Sequence, residues 1–553
     1  MSMSKNIARL AVTAGLTAAL SFGGVMAPVT MAFAAEANGS VTIENVNGNT
    51  TEFQGYQIFK ADVDSGKVAN ITWANDRVEK AVKDVIEKED TSYAGKTAQD
   101  AADWITNKVT GTNETTRVAP DNIAYKIADA VDGLTPSATT TSKTASGLAH
   151  GYWLFVTKTD TIGVGEAGTS PIFTVVGNTP VKITEKTGIP TVEKKIVSDA
   201  DSKEHDAADS QIGQDVTYNL YGTVAENFDK YDTYFYQFSD KISKGLTLQK
   251  DAKVYLYKNR TDATGTDITM YFKEETPAKA AEDGSKTTTW TCDNLKDVSG
   301  VTKDSYIVVS YKAQINKYAV VAGTEGNENT VTLNYSNNPM TSDRGETQSD
   351  TVKDYTYGLK INKVDLGTEA ALDGAEFTIQ ATGADDGASK NLYVQKDGSL
   401  GSDPWNFVTA NGGVIKVTGL DAGTYTVTEV SAPSGYAKVD PFTFEIKPNM
   451  NADDPGAGLT ALKGVLTTDQ GGKVIAGITD ENAGDNNLTA KPGSEKDEDG
   501  IFNITVGDTK QVGLPLTGLN GVTFTWIAGG AVLCIGVAHL IRSRKQAEES
   551  EQE

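Results

Sequence analysis

Cysteine is nearly missing from this chain of 553 residues; there are two, Cys292 and Cys534. Cys534 lies in an apolar run near the C-terminus, so no disulfide can staple the chain that precedes that run. Histidine is as scarce, with only His150, His205 and His539. Three scattered histidines cannot form a clustered metal site, and no Ser/His/Asp spacing is visible. The sequence therefore offers no metal site, no cofactor site and no acyl-transfer triad. Basic charge is also short: 50 Lys and Arg against 74 Asp and Glu leave a net charge of −24 and a pI near 4.6. That balance argues against nucleic acid as a partner and suits a soluble surface protein.

Long apolar runs occur only at the two ends. The N-terminus has Lys5 and Arg9, an apolar stretch from Leu10, and then Ala32-Phe33-Ala34. This order describes a secretory signal peptide over residues 1–35, cleaved after Ala34 or Ala35. At the other end, residues 522–541 are apolar and Arg542, Arg544 and Lys545 follow. A helix of about 20 residues crosses a hydrocarbon core of about 30 Å, and the basic tail stays cytoplasmic. Just before this span stand Leu514, Pro515, Leu516, Thr517 and Gly518. Pentapeptide, apolar span and basic tail together resemble the sorting signal of Gram-positive surface proteins. The resemblance implies that a sortase cuts between Thr517 and Gly518 and passes the Thr517 carbonyl to an amine.

Between the ends the pattern is mainly β. Residues 36–187 open with "GSVTIENV" and "GYQIFKADV", which alternate as strands do. Three helical segments follow: one with Ala74, Val78, Val82 and Val85 on a stripe, one begun by Thr97 with Asp100 three residues on, and one with Ile123, Ile127 and Val131 on a face. Strands return in "HGYWLFVTK" and "SPIFTVVG". Residues 188–350 and 351–513 read as many short strands separated by Gly, Asp and Asn turns. The expected architecture is a row of immunoglobulin-like, Cna-type β-sandwiches, the first with helical insertions. Two polar stretches of the third unit, "NADDPGAGLTALKG" and "AGDNNLTAKPGSEKDEDG", read as insertions or loops.

Exported domains often need covalent staples, so a cross-link other than a disulfide is worth looking for, and strand parity singles out some unusual positions. Side chains two apart share a face. In "LKINKVD" (359–365), Leu359, Ile361 and Lys363 share one; in "YTVTEVSAPSGY" (425–436), Tyr425, Val427 and Glu429 do; in "FNITVGD" (502–508), Phe502, Ile504, Val506 and Asp508 do. A lysine and two acids thus fall in apolar registers, which is costly unless they are paired or neutralised. The middle unit repeats the device. Lys194 falls with Val192 and Ile196, Asp240 with Phe238 and Ile242, and Asn329 with Val331, Leu333 and Tyr335, while Lys195 points the other way.

With "LDGAEF" (372–377), these stretches resemble a Cna protein B-type domain, the 425–436 segment being similar to the E-box of Gram-positive pilins. The resemblance implies intramolecular isopeptide bonds: Lys363 the nucleophile, Glu429 the catalytic acid, and an Asn or Asp of the last strand the electrophile. Parity favours Asp508, because Asn503 lies in the opposite register; the family more often uses Asn. The middle set is similar to the second-domain motif of fimbrial subunits, which implies a Lys194–Asn329 bond assisted by Asp240, with Lys194 in the first strand of the unit and Asn329 in the last.

Signal peptide, three units, two such sets and residues 514–553 together resemble a sortase-assembled backbone pilin of a Gram-positive fimbria. The resemblance implies a structural subunit rather than an enzyme. Its partners would be sortases, other copies of itself, minor or tip pilins and peptidoglycan, with room for a host surface ligand. It would stand at the cell surface, held by the membrane only until cleavage. An acceptor lysine is expected near the end of the first unit. The family's Tyr-Pro-Lys is missing from "TPVKITEKTGIPTVEKK"; Lys186 fits the position best and Lys182 is the alternative. A cell-wall-anchored adhesin that never polymerises is the competing reading.

Overall fold

The computed structural model describes residues 38–511, apart from 46–49, 65–66, 110–121, 186–187, 322–324, 384–390, 454–458, 467–473, 477–486 and 491–500. The sheets follow one another along the chain. Residues 39–185 supply a three-stranded sheet, in which Gly39–Asn45 runs parallel to Val181–Glu185, and a five-stranded sheet around Phe53–Asp64 and Gly151–Thr157. The helices Asp76–Glu89, Ala98–Val109 and Ile123–Asp132 intervene between these strands.

Local chemistry starts the helices. Asn75 caps the first by accepting from the backbone of Arg77 and Val78. Thr97 and Asp100 cap the second reciprocally: Thr97 Oγ1 accepts from Asp100 N at 3.1 Å and Asp100 Oδ2 accepts from Thr97 N at 2.8 Å. Val78, Val82 and Ile86 form the buried stripe of the first helix, whereas Val85 is only half-buried. The stripe therefore ends one residue later than the spacing predicts. Ile123, Ile127 and Val131 are all buried, as expected.

Residues 192–355 form two facing sheets around one apolar cluster. Val192–Val197, Asp215–Thr223 and Tyr306–Ile315 are neighbours in one; Asp350–Tyr355, Asn327–Ser336, Tyr236–Ile242 and Lys286–Cys292 are neighbours in the other. Burial alternates along these strands because one face meets the core and the other meets water. Asn327–Ser336 is not the last strand of this unit, as the sequence suggested. Asp350–Tyr355 follows and pairs with it antiparallel.

Residues 357–510 form the last pair of major sheets. Tyr357–Asp365 runs parallel to Ile501–Lys510, so the first and last strands lie side by side. Glu376–Ala381, Gly423–Ser431 and Phe442–Met450 belong to the opposite sheet. The two polar stretches expected as loops contain strands, Leu459–Leu466 and Asn487–Ala490, which extend this sheet. Leu459–Leu466 is paired on both sides, with Phe442–Met450 and with Asn487–Ala490, so its place in the sheet is set by strand pairing that a local reading of the sequence does not show. Cys292 is buried and free. Among the described residues no helix is long and apolar enough to cross a membrane. The signal peptide, the pentapeptide 514–518 and the apolar run 522–541 lie outside those residues.

Candidate functional site

In the C-terminal unit, Lys363, Glu429 and Asp508 meet in the core. Lys363 and Asp508 have no exposed surface and Glu429 has 1%. The first and last strands pair Asp365 with Asp508 and Lys363 with Val506, so Asp508 is the diagonal neighbour of Lys363 on the same face. Lys363 Nζ donates to Asp508 Oδ1 and lies 3.0 Å from Glu429 Oε1. The other Glu429 oxygen accepts from Val439 N at 2.8 Å. Phe377 covers the amine, its ring centre 5.4 Å away. Gly413 closes over the lysine backbone: its φ is +79°, its carbonyl accepts from Lys363 N at 2.7 Å, and a Cβ there would lie 2.4 Å from the Lys363 carbonyl oxygen. Asn503, the rejected alternative, pairs with Lys360 and is half-buried.

Burial raises the Glu429 carboxyl above its ordinary range, against the pull of Val439 N and Lys363. A carboxyl group pushed toward its neutral form, beside an amine and a second carboxyl group, is suited to carbonyl activation and proton transfer.

The middle unit assembles its set differently. Lys194 comes from one sheet, and Asp240 and Asn329 from neighbouring strands of the other, where Ile242 pairs with Asn329 and Asp240 with Val331. All three side chains are fully buried. Lys194 Nζ donates to Asp240 Oδ1 and to Tyr311 Oη at 3.1 Å. Burial outweighs the attraction of Asp240 and brings the Lys194 amine down to about 8. Lys195 faces the other way, as parity predicted, and donates to Asp206 at 2.7 Å.

Sequence reasoning missed Tyr311. Its hydroxyl donates to Asp240 Oδ2 at 2.5 Å and accepts from Asn329 Nδ2 at 2.7 Å, so it touches all three members of the set. Its ring stacks on Tyr218 and Trp290. Tyr311 occupies an apolar register of "YIVVSYKAQI", where a tyrosine reads as core.

Lys182 is exposed on Val181–Glu185, and its Nζ lies 2.9 Å from Glu44. Lys186 is outside the described residues. His150 pairs with Asn38 and His205 with Asp201, and the described residues contain no group of acids, histidines and cysteines that could hold a metal.

Residues 357–454 match the model of the SpaA prealbumin-like fold domain. The match takes in Lys363 and Glu429 and stops short of Asp508. Solved structures similar to the chain include the T6 backbone pilin of serotype M6 Streptococcus pyogenes, at 17% identity and TM-score 0.49, over 86% of this chain and 98% of that one. The full-length major pilin SpaD of Corynebacterium diphtheriae is similar at 18% and 0.45, over 86% and 98%. BcpA, the major pilin subunit of Bacillus cereus, is similar at 14% and 0.37, over 85% and 99%. No curated protein sequence matches the chain.

The two acids can be tested apart from the lysines. Asp240→Ala should leave Lys194 unlinked in a folded middle unit, and Glu429→Ala should leave Lys363 unlinked in a folded last unit. Peptide mapping reads both, and a normal cross-link in either variant removes that acid from the chemistry.

Proposed function

We propose that the chain is the structural backbone subunit of a covalently polymerised pilus on a Gram-positive surface. Its three units form the shaft, the boundary between the second and third lying after the strand Asp350–Tyr355 rather than at 350/351, and internal Lys194–Asn329 and Lys363–Asp508 bonds stiffen the second and third. The observation that carries this reading is the pair of dry sites, each holding a lysine against a carboxyl group with no exposed surface. A buried ion pair is poor value as a stabiliser, since desolvation offsets the attraction. A lysine whose amine is tied up in an amide, to Asp508 in one site and to Asn329 in the other, carries no charge to desolvate.

Such a bond replaces the missing disulfide. In the chain-entropy model a cross-link closing a loop of about 100 residues contributes about 4–5 kcal/mol, and Lys363 and Asp508 are 145 residues apart. Joining the first strand to the last also carries a pulling force past the sandwich. The sorting signal supplies the link between subunits: a sortase releases the chain at Thr517 and joins it to a lysine of the next copy. The membrane span is then temporary.

Two measurements test the reading. The intact mass of the folded ectodomain should be low by one ammonia, for Lys194–Asn329, and one water, for Lys363–Asp508. An unshifted mass sinks both bonds; a deficit of two ammonias assigns the third-unit electrophile to an Asn. Cell-wall extracts should show a ladder of large species resistant to SDS. A single band instead means an anchored adhesin that does not polymerise.

A further inference from the structure

We propose that Tyr311 is a catalytic residue of the Lys194–Asn329 reaction, passing a proton from Asp240 to the amide nitrogen that leaves. The inference rests on the reading of Lys194, Asp240 and Asn329 as a self-linking set.

The geometry separates the two ends of the Asn329 amide. Its Nδ2 donates to Tyr311 Oη at 2.7 Å. Its Oδ1 has no hydrogen-bond partner among the described residues. A buried acid that activated the carbonyl oxygen would donate to Oδ1. Asp240 is engaged otherwise: Oδ1 takes the lysine and Oδ2 takes the tyrosine hydroxyl. The acid therefore reaches the amide through the phenol, and at its nitrogen. This matters because an amide expels its nitrogen only once that nitrogen is protonated. The ring is held for the task. It is 1% exposed and stacked between Tyr218 and Trp290, with centroids at 5.6 and 5.2 Å. Burial and the neighbouring Asp240 hold its hydroxyl well above the usual phenol range, so it keeps its hydrogen until a proton is handed to it.

The steps balance. Lys194 Nζ gives one proton to Asp240 and attacks Asn329 Cγ, and the carbonyl electron pair moves to Oδ1. The carboxyl proton passes to the Tyr311 oxygen as the Tyr311 hydrogen turns and passes to Nδ2. The carbonyl re-forms, the Cγ–Nδ2 bond breaks, and ammonia departs. The remaining surplus proton on Nζ returns to Asp240, leaving a neutral carboxyl group beside an Nζ–Cγ amide.

The test follows the ammonia loss in the full chain made by cell-free synthesis and sampled over time by intact mass and peptide mapping. Tyr311→Phe keeps the stack and removes the hydroxyl. Its cross-linking should slow by about 10²–10⁴-fold, the usual contribution of a placed acid or base, with near-ultraviolet dichroism unchanged. Fluorotyrosines at position 311 keep shape and hydroxyl while grading the acidity, and the rate should follow that acidity. If Tyr311→Phe links as fast as the natural chain, the relay is wrong. It is equally wrong if every fluorotyrosine matches the natural rate, since only packing would then matter; this arm decides the question even if the Phe variant misfolds. A natural chain that loses no ammonia overturns the self-linking set itself, an outcome distinct from the other two.

Discussion

Lys363→Ala should lower the melting temperature of the C-terminal unit by roughly 10–20 °C, with acid restoring part of the loss. The size follows from the proposed bond: about 4–5 kcal/mol of loop constraint would disappear with it, and each kcal/mol is worth roughly 2–4 °C in a domain of this size. A second cost comes from what remains. Glu429 and Asp508 stay buried with no cation between them, and an ion that has lost its partner is strongly destabilising. The pH dependence has a definite sign. Burial already holds Glu429 above its ordinary value of 4.5 despite the opposing pull of Lys363, and removing the lysine removes that pull. A carboxyl group with a higher pKa folded than unfolded binds more protons in the folded state. Its favourable effect is thus present in acid and is lost as pH rises from about 4.5 through the folded value. Calorimetry of the ectodomain variant at about pH 5 and about pH 8 reads both effects. A fall of a degree or two, equal at both pH values, means that the lysine neither cross-links nor neutralises its neighbours.

Lys186→Ala should abolish the high-mass ladder and leave single subunits on the wall. In the proposed assembly Thr517 ends the processed chain and Lys186 falls in the sequence between the first and second units, so each linkage would set one copy's tail against another's unit boundary. Contacts of that head-to-tail kind generate fibres wherever the rotation from copy to copy does not close a ring. Thr517→Ala should block both outcomes and keep the protein in the membrane. Lys182 is the control with a structural basis. It is exposed, and its ion pair with Glu44 joins two solvent-facing side chains, a contact too weak to keep the amine from an enzyme. If Lys182→Ala loses the ladder and Lys186→Ala keeps it, the acceptor is Lys182. A full ladder in both variants means that neither lysine receives Thr517.

Sequence alone determined which face each key side chain takes. Strand parity is local: period two puts Lys194 with Val192 and Ile196, and Lys363 with Leu359 and Ile361, whatever the strand later meets. Helix capping is equally local, so Thr97 and Asp100 were readable as a pair before any packing was known. The mainly β class followed from the same alternation. Parity does not say which face meets which, because that depends on strands more than a hundred residues apart. Only the tertiary structure set Lys363 and Asp508 on adjacent parallel strands, and Lys194 across the core from Asp240 and Asn329. Only the fold turned Ile86 inward in place of Val85, and paired Leu459–Leu466 and Asn487–Ala490 into the sheet beside Phe442–Met450. Tyr311 shows the limit most clearly. In sequence it is one of several tyrosines in an apolar register; its hydroxyl gains chemical meaning only where two sheets bring an amine, an acid and an amide within its reach.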